Sequence, residues 1–186
     1  MQADTGSILL IPPEGRSAIV ERICAILSRE LWERHGAHTR RKGAEDQVIE
    51  LSLEGGVGKE GFQIGHREGG GVRIVGNDER GLLYGVGKFL RTSRLEPNGH
   101  VAGAWIGTSV PKKDIRGMYL ATHFHNFYHD APLADVTRYV EELALWGVNS
   151  FMVWHDMHHF AGFDDPEAIA HRHRLKAILD FHPPPS

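Results

Sequence analysis

Cysteine is almost absent. Cys24 is the single one in 186 residues, so an internal disulfide is excluded. It lies in an apolar helical pattern and reads as a buried thiol. No apolar run approaches the roughly 20 residues of a membrane span, which excludes a transmembrane helix. A basic excess is also lacking. Lys+Arg 21 against Asp+Glu 24 gives a net charge of −3, which argues against a non-specific nucleic-acid binder. The N-terminus "MQADTGSILLIPPEG" has no basic segment before its short apolar stretch, so no signal peptide is read and the cytoplasm is favoured. What remains is an ordinary globular balance, 41% hydrophobic and 24% charged.

The first part reads strand–helix–strand–strand–strand–helix. "SILLIP" reads as a short buried strand. From Ser17 to Trp32, Ile19, Ile23, Ile26, Leu27 and Leu31 recur at helical spacing. In "QVIELSLE", Ile49, Leu51 and Leu53 share one face, and Glu50 and Ser52 the other. Phe62–Arg67 and Val72–Val75 read as two strands joined by a glycine-rich turn. In "NDERGLLYGVGKFLR", Asn77 or Asp78 caps a helix with the stripe Leu82, Leu83, Val86, Phe89, Leu90. Gly81 and Gly85 lie one turn apart there. Each costs the helix about 1 kcal/mol, which suggests close approach to a sheet. Gly81-x3-Gly85-x-Gly87 is not the dinucleotide pattern and lies inside a helix, so no nucleotide site and no other cofactor is expected. Residues 1–110 thus read as an α+β sandwich that gathers no catalytic side chains.

After "SVPKKD" the pattern changes. Ile115–His125 reads as a strand. Asp135–Trp146 reads as a helix with Val136, Val140, Leu143 and Trp146 inward and Gly147 as its stop. "SFMVW" reads as a strand buried on both faces. A last helix opens with Asp165 as N-cap and Pro166 at its first position. Residues 111–186 thus read as the first two βα units of a partial (β/α) barrel. Such a barrel needs eight units and about 250 residues, so a piece of a larger architecture is expected. An exposed barrel edge leaves room for a homo-oligomer.

The stretches "VRIVGNDERGLLYGVGKFLR", "DIRGMYL" and "LWGVNSFMVW" resemble the N-terminal region of glycoside hydrolase family 20 β-N-acetylhexosaminidases and of α-glucuronidases, over about Ile8 to Phe160. In those enzymes a small α+β domain precedes a (β/α)8 barrel. The resemblance implies a glycan-acting hydrolase with a carbohydrate substrate. It also implies that the catalytic carboxylate pair, carried on the fourth barrel strand of hexosaminidases, is not among these residues. The sequence departs from that pattern where the sugar-clamping arginine is replaced by Phe124, and where histidines of the second strand are replaced by Met152 and Trp154.

Two clusters, "ATHFHNFYHD" and "WHDMHHF", fall at the C-terminal ends of the two barrel strands. Active sites of such barrels are built at that edge. Alternation puts His123 and His125 on the face of Tyr119 and Ala121, toward the barrel mouth. Trp154 offers a platform for a pyranose, and His123, His125, Asn126 and Asp156 offer hydrogen bonds to its hydroxyls. The pair His123 and His125 also suits one divalent ion in an amidohydrolase-like enzyme. The acidic context of that motif is missing, and no metal is assigned. A non-catalytic glycan-binding module is the third reading. His171 and His173, two apart on a helix, read as a solvated face.

Overall fold

A computed structural model of the chain describes residues 7–15, 17–40, 47–96, 101–121, 126–153 and 160–179. The chain divides into two compact units, residues 1–112 and 113–186. Among the described residues no helix is long and apolar enough to cross a membrane.

The first unit is a mixed α/β sheet with helices on one face. Its strands are β1 (Ser7–Ile11), β2 (His38–Arg40), β3 (Gln47–Leu53), β4 (Phe62–His66), β5 (Val72–Gly76) and β8 (Gly107–Ser109). Their order is β2-β1-β3-β5-β4-β8. The first four in that order are parallel, and β4 and β8 add antiparallel pairs. A separate two-stranded ribbon joins β6 (Arg94–Leu95) to β7 (Val101–Ala102). The sequence pattern misses β2 and β8, because three residues are too few to show alternation.

Helices α1 (Ala18–His35) and α2 (Glu79–Thr92) supply the other layer. Ser17 caps α1, its hydroxyl accepting from the N–H of Val20 at 3.2 Å. Val20 rather than Ile19 opens the buried stripe, which continues through Ile23, Cys24, Leu27 and Leu31. Asp78 caps α2 and also accepts the N–H of Glu60 at 2.7 Å. Asn77 accepts the N–H groups of Gly56 and Gly58, both at 3.0 Å. These two residues lace the 54–61 loop to the start of α2, which is the structural work of the "GND" stretch. The glycines of α2 do allow close approach. A Cβ on Gly81 would lie 2.1 Å from the carbonyl oxygen of Gly61, and one on Gly85 would lie 2.8 Å from Ile74 Cγ2.

The second unit runs β9 (Gly117–Leu120), α3 (Phe127–Asp130), α4 (Leu133–Leu145), β10 (Ser150–Val153) and α5 (Pro166–Leu179). β9 and β10 pair in parallel, with Leu120 opposite Val153. Leu120, Val136 and Ile178 form a buried cluster, with Met118, Val140, Phe151 and Val153 packed on it. Two sequence expectations fail here. Trp146 is 66% exposed, and Leu145 is buried in its place. The buried stripe of α4 runs through Thr137, Glu141 and Leu145, four residues apart, beside Val136. Two polar members hide that stripe from an apolar count. "SFMV" is not buried on both faces either, since Met152 is 65% exposed. It pairs with Tyr119, itself exposed, on the face away from the cluster.

The lower ends of β9 and β10 are clasped by the "IRG" and "GVN" stretches. Asn149 Oδ1 accepts the N–H of Arg116 at 2.9 Å, and its amide donates to the carbonyl of Asp114 at 2.8 Å. Arg116 Nε donates to the carbonyl of Gly147 at 2.7 Å, just past the end of α4.

Candidate functional site

Because β9 and β10 are parallel and in register, the chain leaves Leu120 and Val153 at the same sheet edge. Both clusters singled out in the sequence begin there. His123, His125, Trp154 and Asp156 lie outside the described residues. β9 ends at Leu120.

Asn126 is described, and its amide has local partners. Its Oδ1 accepts the N–H of Tyr128 at 2.9 Å and caps α3, while its Nδ2 donates to the carbonyl of Ala121. The side chain thereby ties the end of β9 to the start of α3. One N–H and one acceptor lone pair of the amide remain for a further contact.

The neighbouring aromatics are ordered against one another. Phe127 is exposed at the start of α3 and meets Tyr139 edge-on, with ring centroids 5.9 Å apart. Tyr128 packs on the buried cluster. Burial, then its hydrogen bond with Tyr139, pushes the Tyr128 hydroxyl above the usual tyrosine range. Arg174 on α5 donates to the carbonyls of Tyr128 and Ala131, both at 2.6 Å, and holds α3 in place. His129 stacks on His171 at 5.1 Å, with Phe160 tilted against the same ring at 5.7 Å. This corrects the expectation of a solvated His171 and His173 face, which holds only for His173. Helical position alone placed His171 on a solvated face, because its ring partner lies on α3, a distant segment.

Asp165 behaves as the N-cap expected of it. It accepts the N–H groups of Glu167 at 2.9 Å and Ala161 at 3.0 Å. The N–H of Ala161, and then that of Glu167, hold its carboxyl below the usual aspartate value. Among the described residues no group of three or more His, Cys, Asp or Glu side chains is placed to hold a metal ion.

No protein-family model matches the chain, and no curated protein matches it. Solved structures do. A GH138 enzyme targeting pectin rhamnogalacturonan II superposes with a TM-score of 0.65 at 16% identity, over 94% of this chain and 29% of that one. The fold is shared with glycoside hydrolases. A GH115 4-O-methyl-α-glucuronidase with specificity for decorated arabinogalactans matches with a TM-score of 0.61 at 15% identity, over 81% of this chain and 25% of that one. A mutant Streptomyces plicatus β-hexosaminidase in complex with GlcNAc matches with a TM-score of 0.58 at 22% identity, over 80% and 30%. The chain therefore spans less than a third of the length of these enzymes.

Proposed function

We propose that this chain supplies the scaffold domain and the first edge of the substrate cleft of an enzyme that hydrolyses glycosidic bonds in a glycan. Residues 1–110 act as the non-catalytic α+β domain, and residues 111–186 as the first two βα units of a (β/α)8 barrel. The observation that carries this reading is the parallel β9–β10 pair. It has helices on one face and sends both His- and aromatic-rich segments out at one edge, within a fold shared by three kinds of glycoside hydrolase. Ligands at that edge of a parallel barrel meet the loops that follow the strands.

In this reading His123, His125, Asn126 and Asp156 hydrogen-bond sugar hydroxyls, and Trp154 stacks on a pyranose face. Exposed Phe127, next to Asn126, extends the apolar part of that surface. The carboxylate pair that performs general acid and base or nucleophilic chemistry comes from other barrel strands of the parent protein. Pectic, arabinogalactan and N-acetylglucosamine-containing glycans are the substrates to try first, from what the neighbouring enzymes act on or bind. The test is turnover of a panel of aryl glycosides and oligosaccharides by the product of the complete gene. Hydrolysis of at least one is expected. A protein that neither cleaves nor binds any of them is not a glycosidase.

A further inference from the structure

Three aromatic rings meet next to Asn126. Phe127 and Tyr139 stand edge-on with centroids 5.9 Å apart, and Tyr128 lies 5.8 Å from the first and 6.2 Å from the second. Tyr128 is the root of the group. It packs on the cluster of Leu120, Val136 and Ile178, and its hydroxyl is hydrogen-bonded with that of Tyr139. Phe127 and Tyr139 are the exposed members, at 45% and 36%. One belongs to α3 and the other to the middle of α4, so folding is what brings the pair together.

The rings are held in place. α3 has four residues and no buried one, too few to persist as a helix by itself. Arg174 fixes it from α5, donating to the carbonyls of Tyr128 and Ala131 through charge-assisted bonds, which are stronger than neutral ones. The bond between Tyr128 and Tyr139 uses one of their two hydroxyl protons, and the other is left for a further acceptor. Rings already fixed lose little freedom when a ligand stacks on them. Area then decides what fits. An aromatic side chain carries about 150–250 Å2, so these fractions leave roughly 150 Å2 exposed on the two rings together. A stable protein partner needs about 800 Å2 on each side. The pair therefore has the footprint of one small ring rather than of a protein.

We infer that Phe127 and Tyr139 form a subsite for a second sugar unit, beside the unit that Asn126 contacts, so that the substrate class is an oligosaccharide rather than a single glycoside. The inference rests on the proposed glycan cleft and deepens it, since Phe127 follows Asn126 directly in the chain. The ring faces meet the C–H face of a pyranose. The spare tyrosine proton and the spare N–H of Asn126 donate to its hydroxyls. Such a contact adds affinity for a longer chain without touching the scissile bond, so it acts on KM more than on kcat.

The experiment compares two substrates of the complete gene product by reducing-sugar release. They are the trisaccharide and the methyl glycoside of whichever sugar the panel shows to be cleaved; a methyl aglycone cannot stack on the rings. The trisaccharide should have the lower KM. Tyr139→Ala should raise the ratio of the two KM values, trisaccharide over methyl glycoside, about tenfold. Tyr139→Phe keeps the ring and should raise it about threefold, through the lost hydroxyl alone. Phe127→Leu keeps an apolar side chain without a ring and should match Tyr139→Ala; it decides the matter if Tyr139→Ala lowers the Tm. A ratio unchanged in both Tyr139→Ala and Phe127→Leu overturns the inference and leaves the glycosidase reading standing. A trisaccharide KM no lower than that of the methyl glycoside does the same. A gene product that neither cleaves nor binds any sugar of the panel overturns both.

Discussion

Replacing Gly81 by alanine tests the packing of α2 on its loop. Helix propensity alone favours the change by about 1 kcal/mol. The structure opposes it. The new Cβ would lie 2.1 Å from the carbonyl oxygen of Gly61 and 3.0 Å from its carbon, where unstrained contacts between heavy atoms lie near 3.5 Å. The obstacle is backbone, so no rotamer change relieves it. The Gly61 carbonyl also accepts the N–H of Asn77 at 2.9 Å, so moving it by about 1 Å strains a bond worth roughly 1 kcal/mol. Overpacking of this kind costs about 1–3 kcal/mol. With the propensity gain subtracted, a net loss of about 1–3 kcal/mol is expected. Urea denaturation followed by circular dichroism measures it. Gly85→Ala should lose less, because the nearest atom there is the Ile74 Cγ2 methyl at 2.8 Å, part of a side chain that can shift. Gly55→Ala, with nothing within 4 Å, should be close to neutral. A Gly81→Ala chain about 1 kcal/mol more stable than the parent, as propensity predicts, would refute the reasoning.

Asp78→Ala removes the acceptor for Gly81 and Glu60 together and should cost about 2 kcal/mol in the same urea assay; Asp78→Asn should recover part of it. Asn149→Ala unclasps Arg116 and Asp114 and should cost about 1–2 kcal/mol, read as an earlier unfolding of the second unit. Asp165 has a folded-state pKa below its unfolded value, so the stability it lends is complete above about pH 4 and is lost as the pH falls through the folded value. Asp165→Asn should flatten that acid limb in a pH series of thermal melts. Hydrogen exchange should be slower in β1, β3 and β5 than in β9 and β10. The first set sits inside a six-stranded sheet, whereas β9 and β10 form a two-stranded sheet with Tyr119 and Met152 exposed.

The long elements were legible in the sequence because their periods are unbroken. The alternation around Ile49 and Leu51 marked β3, the Leu82–Leu90 stripe marked α2, and the glycines of α2 announced a close approach. Elements of three residues, β2 and β8, carry no period to read. The strand order follows from pairing between distant segments, which no local pattern records. In α4 the apolar count chose Trp146 over Leu145, because the buried Thr137 and Glu141 break the hydrophobic stripe. Met152 looked like a core residue by composition, and its exposure depends on which strands flank it. At the candidate site, the ending of β9 and β10 at one edge was legible from the strand–helix–strand order. The role of Asn126 in capping α3 and the stacking of His129 on His171 were not, since each depends on where a partner folds.

The edge after β9 and β10 is proposed as part of a glycan cleft. A crystal structure of the complete gene product with a bound oligosaccharide tests it most directly. A sugar ring is expected within about 3 Å hydrogen-bond distance of the side chains of His123, His125, Asn126 or Asp156, with Trp154 against its face. A saccharide bound with none of these residues in contact, or a divalent metal held by His123 and His125 in its place, would contradict it.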